Sequence, residues 1–221
     1  MVSEDSSRRP YLSQVYREYL ESQDSAGFLL HVSQVYTPGT LERLVEHDSV
    51  EVRRGAVLAL GFLGDYRINA ALGRALQDED RTVRSLAEDS IRNVWTRDGA
   101  EKERRELGLI IRLISAQQYE PAIRRATRLL ARAAWFAEVW NQRAIANFSL
   151  GRYEEAIRDC RQALEINPYH FAAAAGMGQA YLELGGRASA LESFRRALRL
   201  NPDLEAVRVQ VARLVRLADG E

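Results

Sequence analysis

Residues 138–168 read EVWNQRAIANFSLGRYEEAIRDCRQALEINP, and the positions of the small, aromatic and proline residues in this stretch decide the fold. Trp140, Ala144, Asn147, Gly151, Tyr153, Ala156, Cys160, Ala163 and Pro168 have counterparts at a fixed offset of 34. These are Ala174, Gly178, Tyr181, Gly185, Arg187, Ala190, Phe194, Ala197 and Pro202. Small residues at 144, 156, 178 and 190 allow two helices to approach closely, where larger side chains would wedge them apart. Asn167 and Asn201 precede prolines and are therefore pushed out of the helical region, which ends a second helix in each unit. Gly151 and Gly185 fall between the two helices, at a tight turn.

A 34-residue unit with small residues at its eighth, twentieth and twenty-seventh positions and proline at its thirty-second resembles the tetratricopeptide repeat. GMGQAYLELGGRASALESFRRALRLNP, within 176–202, carries the resemblance closely. The same offset taken towards the N-terminus gives a degenerate unit in register at 103–136, with Leu109, Ile110, Leu113, Tyr119, Ala122 and Ala126 matching. There Ala134 replaces the proline, and Glu106 stands where tryptophan is common. The array is expected as three units, 103–136, 137–170 and 171–204, within a domain at 99–221. Beyond Pro202, DLEAVRVQVARLVRL is amphipathic and predicts a capping helix.

A second, shorter period lies upstream, at an offset of 31. It pairs Leu41 with Leu72, Asp48 with Glu79, Val52 with Val83, Arg53 with Arg84 and Ala56 with Ala87. VRRGAVLALGFLGDYRINAALGRALQDEDRTVR resembles a short HEAT-like unit of the kind also found in phycobilisome-lyase-type proteins. Asp48 and Asp80 are expected in turns, with Arg53 and Arg84 bridging neighbouring repeats, so these charges read as structural. YLSQVYREYL and GFLLHVSQVY, around a SQDSAG turn, read as two helices that cap a HEAT-like domain at 10–98. Residues 1–9 read as disordered. The fold class expected is all-α, an alpha-alpha superhelix or right-handed helical-repeat solenoid, with short HEAT-like repeats followed by tetratricopeptide repeats.

The 221 residues are 46% hydrophobic and 28% charged, with zero formal net charge and a pI near 6.9. No global field draws such a chain to nucleic acid or to an acidic membrane surface. Cys160 is the only cysteine, which excludes an internal disulfide and points to a reducing cytoplasm. No apolar run has the length of a signal core or a membrane span. Lys102 is the only lysine among 31 basic residues, a bias that suggests a GC-rich, bacterial genome.

Catalytic chemistry finds little support. His31, His47 and His170 are far apart in sequence and Cys160 is alone, so no metal-ligand spacing exists and no cofactor is expected. Cys160 reads as a core thiol, and His170 as a solvated turn residue or a packed one. His47 abuts Asp48, but no nucleophile stands at helical reach, and no phosphate-binding glycine loop occurs.

What remains is a surface. The resemblance implies that the first helix of each unit lines a concave face, which would present Leu107, Ile111 and Ile114, then Glu138, Asn141, Ile145 and Phe148, then Ala172, Ala175, Gln179 and Leu182. A mostly apolar groove suits a hydrophobic peptide or amphipathic helix of a partner protein. The alternatives are that helix 10–22 or the C-terminal helix fills it, or that it is packed core. The basic clamp of chaperone-binding members is not reproduced, because Leu107, Ile111 and Ala172 occupy its positions. On the second helices, Arg124, Arg128, Arg158, Arg161, Arg195 and Arg199 form a candidate surface for an anionic partner, weakened by interleaved acids. The expected function is a non-enzymatic protein-binding adaptor. Its rivals are an accessory subunit docking laterally on an enzyme complex and, less favoured, a nucleic-acid binder.

Overall fold

The computed structural model describes residues 10–219, and the stretch 1–9 expected to be disordered lies outside them. Among the described residues the secondary structure is thirteen α-helices and one 3-10 turn, with no strand. The protein is all-α, a helical-repeat solenoid fold. It divides into two compact units, Met1–Val94 and Trp95–Glu221.

In the first unit, α1 (Tyr11–Ser22) and α2 (Ser25–Val35) precede two helix pairs. These are α3 (Pro38–Leu44) with α4 (Val50–Leu63), and α5 (Asn69–Ala75) with α6 (Arg81–Thr96), whose last two residues fall in the second unit. Asn69 and Arg81, which open α5 and α6, each follow the opening residue of α3 and α4 by one upstream period, so the sequence period is the structural one. Local chemistry sets several boundaries. Asp24 accepts from the Gly27 N–H at 3.0 Å to open α2, and Thr37 accepts from Thr40 N–H before Pro38 at the start of α3. Leu12, Val32, Leu41, Val52, Ala56, Leu60, Leu72, Val83, Ala87 and Ile91 are fully buried and make the core.

Arginines tie these repeats together. Arg53 grips Asp78 through two nitrogens at 2.8 and 3.0 Å, and its third nitrogen donates to the carbonyls of His47 and Asp48. Arg84, its counterpart in the next repeat, donates likewise to the carbonyls of Asp78 and Glu79. Arg54 forms a bidentate pair with Asp80, whose carboxylate also accepts from Val83 N–H at the head of α6. Bridging by Arg53 is as expected. Its acidic partners are Asp78 and, at 3.2 Å, Glu79, and neither is one of the turn aspartates singled out from the sequence.

The second unit contains α7 (Glu101–Ser115), α8 (Tyr119–Leu130), α9 (Ala137–Ser149), α10 (Tyr153–Ile166), α11 (Phe171–Glu183), α12 (Arg187–Leu200) and α13 (Glu205–Asp219). Helices α8, α10 and α12 open at Tyr119, Tyr153 and Arg187, successive positions of the downstream period, and α9, α11 and α13 keep the same spacing. The turn inside each pair is the same object three times. Gly151 and Gly185 adopt φ +73°, and Gln117, in the same register, adopts φ +58°. In each turn the next N–H reaches back five residues. Gln118 donates to the Leu113 carbonyl, Arg152 to Asn147 and Gly186 to Tyr181, at 2.8–2.9 Å. This six-to-one bond satisfies a carbonyl that the helix end leaves open.

Between pairs, the buried side chains of Asn167 and Asn201 accept from Tyr169 and Asp203 N–H, an Asx turn that seats the following proline. Inside each pair, the helix-to-helix contact trades volume. The buried residues at the close approach are Ile110 with Ala126, Ala144 with Cys160, and Gly178 with Phe194. As the second residue grows, the first shrinks. A Cβ on Gly178 would lie 2.6 Å from the Phe194 ring, so glycine is required there.

Candidate protein-binding groove

The trade between Ala144 and Cys160 leaves space. Phe194 fills its register in the next pair, but the smaller Cys160 leaves an apolar cavity of about 170 Å³. Its walls are Asn141, Ala144, Ile145 and Phe148 of α9, Ala156 and Cys160 of α10, and Ala172, Gly176 and Gln179 of α11. Gly176 contributes by its lack of a side chain, since a Cβ there would stand 3.7 Å from Cys160 Sγ. The thiol is buried and its pKa is pushed up to about 12 by desolvation, with Asp159 adding to the shift, so it is apolar floor and not a nucleophile.

Of the residues expected on the open face, Asn141, Ile145, Phe148 and Gln179 meet at this cavity, with Ala172 beside them. Ile145 is 40% exposed and stands at the mouth. Leu182 lines the neighbouring depression with α13, and Ala175 is half-buried against the core of α9 to α13. Ile111 and Ile114 are half-buried against the core of α7 to α9. Leu107 corrects the expectation: at 1% exposure it belongs to that core and offers nothing to a ligand. Helix α13, one of the alternative occupants, contributes none of the cavity walls.

Glu138 is the second correction. It is buried, and its carboxylate is held from three sides. His170 Nε2 lies 2.9 Å away, Gln142 Nε2 donates at 2.6 Å and Asn141 Nδ2 at 3.3 Å. Burial pushes the carboxyl pKa up. The hydrogen bond and electrostatic attraction from His170, with the two amides, outweigh it and leave the value below the ordinary glutamate range. His170 is itself fully buried, not a solvated turn residue. Its Nδ1 accepts from Ala173 N–H and caps α11, so Nε2 carries the proton that faces Glu138. Trp95 stacks on the imidazole with centroids 4.2 Å apart. This cluster positions α9 against α11, the two helices that flank the cavity.

The six arginines singled out on second helices are all exposed. Acidic and hydroxyl neighbours take part of their charge. Arg158 lies 3.2 Å from Glu155, and Arg161 donates to the Tyr181 hydroxyl. Two other arginines of this unit build structure. Arg143 grips the buried Asp159 at 2.7 and 2.9 Å and stacks over Trp140, while Arg125 pairs with Glu106. Among the described residues, no group of three or more His, Cys, Asp or Glu side chains could hold a metal ion. No helix among them is long and apolar enough to cross a membrane.

Sequence comparison finds both repeat types, with the HEAT match running on over α7 and α8, which the downstream period groups with the tetratricopeptide units. The tetratricopeptide repeat pattern matches residues 137–170 and again 173–204, and the HEAT repeats pattern matches 37–131. A TPR repeat-containing protein of Rhizobium etli is 25% identical over 154 residues, covering 70% of this chain and 76% of that protein. Human Superkiller complex protein 3 is 36% identical over 64 residues, which span 29% of this chain and 4% of that much longer protein. Among solved structures, the first tetratricopeptide domain of Spaghetti, bound to the HSP90 peptide SRMEEVD, has a TM-score of 0.52 at 20% identity, covering 55% of this chain and 96% of that domain. The Sgt2 domain of Aspergillus fumigatus has a TM-score of 0.52 at 18% identity, over 54% and 81% of the two chains. At these identities the structural likeness speaks for the fold alone. Repeat periods, turn geometry and matched patterns agree: the chain carries tetratricopeptide repeats at 137–170 and 173–204 and matches HEAT repeats over 37–131.

Proposed function

We propose that the protein is a non-enzymatic interaction adaptor that holds a segment of a partner protein across α9 and α11. The observation that carries this reading is the unfilled apolar cavity over Cys160, with Ile145 and Phe148 at its mouth and the amides of Asn141 and Gln179 within its walls. Stacked helix pairs hold that surface ready, so the receptor side is ordered before the partner arrives. The Spaghetti domain, similar in fold, holds a peptide, so a fold of this kind can present such a surface; its ligand is not carried over. The clamp positions of chaperone-binding relatives hold Leu107, Ile111 and Ala172 here, and Leu107 is buried. We also take α7 and α8 as the first of the three tetratricopeptide units, because the Gln117 turn repeats those at Gly151 and Gly185. The buried lone thiol suits a reducing cytoplasm.

The test is retention of partners from native lysate by the wild type and by the double variant Ile145→Arg, Phe148→Glu, with equal folding checked by circular dichroism. Loss of a retained protein in the variant is the expected result. Unchanged retention would move the site to the arginine face or to the HEAT-type unit.

A further inference from the structure

Resting on the groove reading above, we infer that the partner segment presents one bulky apolar side chain, Phe, Leu or Met, to the cavity over Cys160 and an acidic side chain, two or three residues away, to Arg213 and Arg187. The apolar half follows from volume. A dry apolar cavity of roughly 150 Å³ holds a benzene-sized group, and this one, about 170 Å³, has no charged residue in its walls. An alanine would leave it mostly empty, and a charged group would lose its hydration without a partner.

The acidic half follows from what adjoins it. Gln179 lines both the cavity and a second depression of about 420 Å³ between α11 and α13. There, Leu182 and Leu214 form apolar walls, with Arg187 and Arg213 facing a single acid, Glu183. Both arginines are exposed, and neither makes an ion pair among the described residues, so the depression carries a net positive charge. Along α11 the two sites are about six residues apart, roughly 8–9 Å at 1.5 Å per residue. An extended peptide covers that in two or three residues at about 3.3 Å each.

The probe is a random dodecapeptide library displayed on phage and selected on the full chain and on variants confirmed to fold by circular dichroism. Ala144→Gly with Cys160→Phe transplants the Gly178 and Phe194 pair of the next repeat and so fills the cavity with a packing the fold already uses. Ala172→Phe closes it independently from the rim. Selection on the wild type is expected to enrich a bulky apolar residue two or three positions from Asp or Glu. The filled variants should bind those clones about tenfold more weakly. Arg213→Glu should weaken them roughly three- to fivefold, in keeping with a rim charge, and turn the acidic preference towards Lys or Arg.

The inference is overturned by no enrichment, by clones lacking the pair of features, or by variants that return the same consensus. It is also overturned if the wild type elutes as a dimer that the filled variant dissociates, which would give the groove to a second copy. Clones that depend on Ile145 but ignore apolar size and charge would sink this inference and leave the groove reading standing.

Discussion

Gln117 shows how a repeat reveals what a single sequence position hides. Its counterparts Gly151 and Gly185 adopt positive φ with nothing within 4 Å of an added Cβ, so the requirement there is backbone freedom and not space. A non-glycine residue in this region costs roughly 1–2 kcal/mol, partly offset by the entropy glycine loses on folding. Gln117→Gly should therefore stabilise the protein by about 0.5–1 kcal/mol, and Gly151→Ala or Gly185→Ala should destabilise it by a similar amount, read from urea midpoints. Gly178 is the opposite case. Its backbone is ordinary helix, but a Cβ would meet the Phe194 ring at 2.6 Å. Gly178→Ala is expected to cost about 1–3 kcal/mol through overpacking. Adding Phe194→Cys relieves the overlap but opens a cavity like the one beside Cys160, so the double variant should remain less stable than the wild type. Trp95, Trp135 and Trp140 all lie in the second unit, so tryptophan fluorescence reads these changes there.

At the scale of elements, helix boundaries were legible because their causes repeat in the letters: glycine at the inner turn, asparagine before proline at the outer one, small residues where helices touch. Interactions that join distant elements were not. The family resemblance implied Glu138 on the open face, but its fate is set by His170, far along the chain, and His170 is itself packed against Trp95. Register likewise could not choose Asp78 and Glu79 over Asp48 and Asp80 as the partners of Arg53. The sign of pH dependence follows from these partners. Glu138 titrates below its ordinary value when folded, so its contribution is present above the unfolded pKa and disappears as pH falls through the lowered one. His170→Ala removes both a helix cap and the donor to a buried carboxylate. It should cost about 3–5 kcal/mol at neutral pH, with a smaller loss in acid, where Glu138 takes up a proton. Asp80 behaves the same way in the first unit. Hydrogen bonds from Arg54, acting against desolvation, hold it at about 2. Asp80→Asn should lose about 1–2 kcal/mol at neutral pH, a difference that fades between about pH 4 and pH 2 as the native carboxylate is protonated. Denaturation midpoints across that range check both.

For the whole molecule, charge decides between an apolar groove and an anionic surface. Thirty-one basic residues are matched by thirty-one acidic ones, and arginines at structural positions are already engaged: Arg53 with Asp78, Arg54 with Asp80, Arg143 with Asp159. A partner held by neutralised phosphates loses affinity steeply with salt, by orders of magnitude over a fourfold rise when six or more contacts are made. A partner held mainly by an apolar side chain in the cavity over Cys160 keeps most of its affinity, since burial of apolar surface is little affected by screening. Partner retention is therefore expected to fall no more than about fivefold between roughly 50 and 200 mM salt, the allowance for rim charges such as Arg213. It should vanish with Ile145→Arg, Phe148→Glu at every salt concentration. Retention that collapses with salt, and survives that double variant, would assign the function to the exposed arginines Arg124, Arg128 and Arg195, because only a contact outside the groove combines those two behaviours.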